Sequence, residues 1–84
     1  LNYTYGYQII NGTRKPTKDK LIQLCFGLGA TAEEANRILV LADAGGLYSK
    51  NRRDCIIIFA LNKKLSLLET NEKLYELGEN IIEI

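Results

Sequence analysis

Residues 18–44 read KDKLIQLCFGLGATAEEANRILVLADA, and residues 53–79 read RDCIIIFALNKKLSLLETNEKLYELGE. Laid over one another thirty-five positions apart, they agree at Asp19 and Asp54, Ile22 and Ile57, Glu34 and Glu69, Asn36 and Asn71, and Leu39 and Leu74. Five identities in 27 positions exceed the roughly one or two that average composition gives. Similar residues share the register: Lys18 with Arg53, Leu24 with Phe59, Thr31 with Ser66. Each copy reads as a helical hairpin whose first helix is led by a basic residue and Asp.

The local signals agree. Thr31-Ala32-Glu33-Glu34 and Ser66-Leu67-Leu68-Glu69 are capping boxes, in which the hydroxyl and the carboxylate three residues on satisfy each other's backbone N–H groups. Pro16 precedes Thr17, a helix N-cap, and Asp19 suits the positive end of the dipole. Leu21, Ile22, Leu24, Cys25 and Leu28 follow at helical spacing until Gly27 and Gly29. The next helix carries Ala35, Ile38, Leu39 and Ala42 on one face and stops at Gly45-Gly46. A further helix is predicted over residues 49–62. Its apolar run, residues 55–61, goes right round the helix and predicts the buried centre of the fold. The last helix places Leu74, Tyr75 and Leu77 before Gly78, and residues 79–84 are too short to assign. The period is close to that of tetratricopeptide arrays, but their aromatic and small residues are absent at the required spacings, and two copies are fewer than a solenoid needs.

Residues 3–10 add a short aromatic helix ended by Asn11-Gly12. The expectation is thus an all-α, compact five-helix unit without a sheet, with Cys25, Leu39, Ile57 and Leu74 buried.

Composition bounds the function. The chain has 84 residues, 46% apolar and 25% charged, which is one ordinary globular domain. No stretch is long and apolar enough to span a bilayer, and residues 1–5 lack the basic and apolar regions of a secretory signal. The chain has no His, which removes most triads, most zinc sites and the usual general base. Cys25 and Cys55 form no C-x-x-C pair and sit in apolar stretches, so both are expected as buried free thiols in a reducing, cytoplasmic compartment. The sequons at Asn2 and Asn11 are accidental on that reading. Glu69, Glu72, Glu76 and Glu79 recur at helical spacing as a solvated face. Neither catalysis nor a cofactor is expected. The net charge of +1 hides blocks: a basic front at Arg14, Lys15, Lys18 and Lys20, a second basic block at Lys50, Arg52, Arg53, Lys63 and Lys64, and an acidic last helix. A basic front is an anion-binding clue. Arg53-Asp54 repeats Lys18-Asp19, which favours a structural role for that second pair.

Tyr5-Gly6-Tyr7-Gln8-Ile9-Ile10-Asn11-Gly12-Thr13-Arg14-Lys15-Pro16-Thr17, with Leu21, Leu24, Leu28 and Gly29 beyond, resembles the second half of an Xre-type, lambda-repressor-like helix-turn-helix domain. In that family a recognition helix ends in a motif like I-x-N-G-x-x-x-P, and the next helix is of type L-x-x-L-x-x-x-L-G. The resemblance covers residues 1–31 and extends towards Ala44. It implies that residues 1–44 are a partial helix-turn-helix unit whose first two helices lie upstream of Leu1, and that residues 45–84 are a C-terminal hairpin in the same compact body. It further implies a transcriptional regulator on double-stranded DNA. Tyr3, Thr4 and Gln8 would face base edges, Gln8 towards adenine and the Thr4 methyl towards thymine. Tyr7, Asn11, Thr13, Arg14, Lys15 and Lys18 would meet phosphates. Tyr3, Tyr5 and Tyr7 equally suit packing against the upstream helices. A homodimer through the C-terminal helices would match two half-sites. The rival reading is an all-helical protein–protein interaction module.

Overall fold

The computed structural model describes residues 16–83. They form four helices: α1 Lys18–Leu28, α2 Ala32–Leu41, α3 Arg52–Asn62 and α4 Leu67–Glu76. No strand occurs among the described residues, so the apolar run 55–61, β-compatible by composition, is helical. Four helices rather than five are therefore seen. The helix expected over residues 3–10 lies outside the described residues.

The repeat is visible as architecture. Each hairpin packs its own two helices together; across the seam α2 lies on α3 and α4 lies on α1. That cyclic pattern is what two copies of one hairpin give when each presents the same surfaces to the other. Ile22, Cys25, Ala35, Leu39, Ile57, Leu61, Leu74 and Ile82 form one continuous core, and Ala60 is buried as well. Ile22 matches Ile57, Cys25 matches Ala60, and Leu39 matches Leu74. A side chain of that size, fully buried, stabilises by about 1.5–3 kcal/mol relative to exposure.

Local chemistry sets the boundaries. Thr17 caps α1 by accepting from Lys20 N, and Asn51 caps α3 by accepting from Asp54 N. Both expected capping boxes are complete: Thr31 with Glu34, and Ser66 with Glu69. Hydrogen bonding to the cap holds the Glu34 and Glu69 carboxyls below the usual carboxylate range. The α1–α2 turn needs a left-handed residue; Gly29 supplies it at φ 68°, whereas Lys64, its counterpart, adopts φ 59° with a side chain.

Several expectations need correction. The helix expected over residues 49–62 begins at Arg52: Asn51 is the better cap, and its N–H closes a turn onto Tyr48 O. α2 ends at Leu41, short of Gly45, because Asp43 already takes φ 55°. α3 is not buried all round. Asp54, Ile57, Ala60 and Leu61 face inward, Ile56 and Ile58 are half-buried, and Phe59 is 50% exposed. Ile56 and Ile58 pack on the edge of the core, and Phe59 stands outside it. Cys55 lies on the outer side and is exposed, against the expected burial; Cys25 is buried, which raises its thiol pKa. Tyr75 is likewise outside, leaving Leu74 to anchor α4.

Candidate functional site

The most ordered polar constellation lies where α1 and α3 begin. Lys18 Nζ donates to both carboxylate oxygens of Asp54, at 3.1 and 3.0 Å. Arg53 returns the arrangement, its guanidinium donating to both oxygens of Asp19 at 3.2 and 3.0 Å. Each hairpin thus gives its cation to the other's aspartate. Each aspartate also accepts a backbone N–H from the segment following the other hairpin's own helices: Tyr48 N reaches Asp54 at 3.1 Å, and Glu83 N reaches Asp19 at 3.1 Å.

Asn36 and Asn71 finish the pattern. Leu47 N donates to the Asn36 side-chain oxygen at 2.7 Å, and Ile82 N donates to that of Asn71 at 2.7 Å. Asn71 also donates to Ile82 O. A Cβ at Gly46 would meet the Asn36 oxygen at 2.9 Å, so a side chain there would make that amide shift. The second tail, left unassigned by sequence reasoning, is pinned further by Arg53, which donates to Asn80 O and Ile81 O. The repeat identities Asp19/Asp54 and Asn36/Asn71 were the signal for all of this. The structural role that the repeat favours for Arg53 and Asp54 is seen, and what sequence reasoning missed is that these contacts, with those of Asn36 and Asn71, tie the two copies and their following segments together.

The sequence-derived DNA residues fall elsewhere. Tyr3, Thr4, Tyr7, Gln8, Asn11, Thr13, Arg14 and Lys15 lie outside the described residues. Lys18, expected on phosphate, has its ammonium committed to the buried Asp54, with the Tyr48 ring 5.8 Å away. An ion pair with a carboxylate that is only 4% exposed competes directly with a phosphate. Arg52 sits 3.7 Å from Glu79, and Arg37 pairs with Glu33 along α2. Of the second basic block only Arg53 is half-buried; Lys50, Arg52, Lys63 and Lys64 are exposed. Among the described residues no group of three or more metal-ligating side chains comes together, and no helix is long and apolar enough to cross a membrane. Every buried side-chain nitrogen and oxygen among them has a hydrogen-bond partner.

One surface departs from the two-fold pattern. Gln23, Leu24, Phe26 and Gly27 of α1, with Leu67 of α4 and its cap Ser66, line an open groove of about 360 Å³. At the equivalent place on α3, Asn62 stands where Gly27 does, and its side-chain oxygen accepts from Ala32 N at 3.0 Å.

Comparison with protein-family models, with curated proteins and with solved structures found no match.

Proposed function

We propose that this chain is part of a sequence-specific DNA-binding regulator, with the tandem hairpins as the scaffold behind an N-terminal recognition segment. One observation carries the reading: α1 occupies the stretch that the motif assigns to the helix after the loop. It starts at Lys18 beyond Pro16 and its cap Thr17, and it ends at Leu28-Gly29. The charge distribution supports it. The described residues carry one more acid than base, so the chain's net +1 comes from Arg14 and Lys15 in the loop. At Lys18 a phosphate would have to compete with Asp54 for the ammonium.

Gln8 and Arg14 test the reading on the natural full-length protein. Gln8→Ala is expected to lose roughly 1–3 kcal/mol on the specific site and little on random duplex. Arg14→Ala is expected to weaken both alike and to lower the salt slope by about one. Filter binding across a salt series reads both effects, with melting temperature as the folding control. Parent-like binding by both variants overturns the reading. A protein–protein interaction module is then the better account, favoured by Leu41 at 86% and Tyr75 at 79% exposed.

A further inference from the structure

The junction between the hairpins is built twice, once beside a covalent link and once without one. Where α2 leads into α3, Tyr48 N donates to Asp54, six positions on. Where α4 returns to α1, Glu83 N donates to Asp19, sixty-four positions away. The ion pairs beside these bonds, Lys18 with Asp54 and Arg53 with Asp19, join partners 36 and 34 positions apart. The seam is therefore indifferent to how its two sides are linked, since the α4–α1 junction forms the same bonds with no direct link across it.

The link at the other junction is short. Asn36 holds Leu47 N and so ties residues 45–48 to the first hairpin, while Asn51 caps α3 and belongs to the second. Ser49 and Lys50 remain between them, exposed and bent back by the turn bond from Asn51 N to Tyr48 O. A short exposed hinge between complementary units favours their exchange between chains, because the contacts of the closed form are regained in the pair. We propose that this chain pairs with a second copy by exchanging hairpins: the turn at residues 48–51 opens, and the first hairpin of each copy closes on the second hairpin of the other. Lys18 of one copy then meets Asp54 of the other, and Arg53 meets Asp19 in the same way. The pair gains a contact where the two opened links pass each other, flanked by Tyr48, which is 63% exposed in the closed form. This pairing does not depend on DNA binding, and its test involves no DNA.

Sedimentation velocity and isotope-filtered NOEs on the whole chain decide it. The link holds the two hairpins at an effective concentration of about 1 mM, so exchange competes when folding takes place near that concentration. Parent chain refolded from urea at about 1 mM is expected to hold at least a tenfold larger dimer fraction than chain refolded at about 10 µM, and to keep it on dilution, because reopening has to break the seam. A sample mixed from two isotope labels should then give NOEs between Ala32 of one copy and Asn62 of the other, whose side-chain oxygen accepts from the Ala32 N–H. Deletion of Ser49 and Lys50 prevents the turn back and should make the dimer predominate even at about 10 µM, with the same inter-copy NOEs. A flexible Gly/Ser insertion after Lys50 should leave the chain monomeric at both concentrations. A parent that stays monomeric at both concentrations overturns the proposal, whatever the shortened chain does. So does a dimer whose Ala32–Asn62 NOEs arise within each copy, since the copies would then associate through an outer face. Loss of helix in the shortened chain overturns it too, because the seam would then depend on the link.

Discussion

The two hairpins share a plan and divide its costs differently. In the second, Asn71 is buried, holds Ile82 through both N–H and C=O, and the tail is further gripped by Arg53. In the first, Asn36 is half-buried, with Leu47 N as its partner across the turn, and the chain runs on into α3. Residues 45–48 are held by Asn36 and Asp54, and residues 80–83 by Asn71, Arg53 and Asp19. The same difference appears at the aspartates. Asp54 is 3% exposed, whereas the Arg53–Asp19 pair keeps about a fifth of each side chain in water. Equal sequence therefore does not mean equal energetic weight.

Removing Asp54 breaks the comparison hardest. Asp54→Ala strands the Lys18 ammonium and the Tyr48 N–H, and is expected to cost about 2–4 kcal/mol. Asp19→Ala should cost about 1–2 kcal/mol, its partner Arg53 being partly solvated and retaining two carbonyl acceptors. Urea unfolding of the pair measures the difference; equal losses would show that burial is not what separates them. Asn71→Ala should follow at about 2 kcal/mol and Asn36→Ala nearer 1 kcal/mol. Exchange at the Ile82 and Leu47 amides reports each site separately.

The capping boxes give a symmetric effect with a pH signature. The Glu34 and Glu69 carboxyls are depressed in the folded protein by hydrogen bonds from Thr31 and Ser66. Their stabilising contribution is thus complete above the ordinary glutamate range and is lost as pH falls through the depressed folded values. Thr31→Ala and Ser66→Ala should each cost about 1 kcal/mol at neutral pH. The Glu34→Gln, Glu69→Gln double variant should flatten the acid limb of stability against pH between about 5 and 3. An unchanged limb would show that the capping boxes do not set the acid sensitivity. The smallest change is a gain: Gly27→Ala, inside α1 with open space around its Cβ, should stabilise by about 0.5–1 kcal/mol. Thermal unfolding checks it.

The helices were legible because their signals are local. Thr31-x-x-Glu34 and Ser66-x-x-Glu69 mark two starts, and Gly29 marks a stop, whatever the rest of the chain does. Long-range partition was not legible. The run 55–61 is apolar on every side, and nothing within it says that Ile57 goes in and Cys55 stays out; the neighbours α2 and α4 decide that. Lys18 is the sharpest case. A lysine in a basic front reads as a phosphate ligand, and what claims it is an aspartate thirty-six residues on. The repeat could have shown this, because a cation–Asp dipeptide preserved in both copies is self-complementary across a two-fold. The recognition segment itself rests on motif resemblance, since its residues lie outside the described part of the chain.

The bond from Glu83 N to Asp19, sixty-four positions apart, has a consequence for how the protein is made. The first hairpin leaves the ribosome with Asp19 lacking both Arg53 and its last backbone donor, and with Lys18 waiting for Asp54. Its front end stays unfinished until the closing residues of the second hairpin have been synthesised. Loss of residues 80–83 would therefore be felt some sixty positions earlier, at the start of α1.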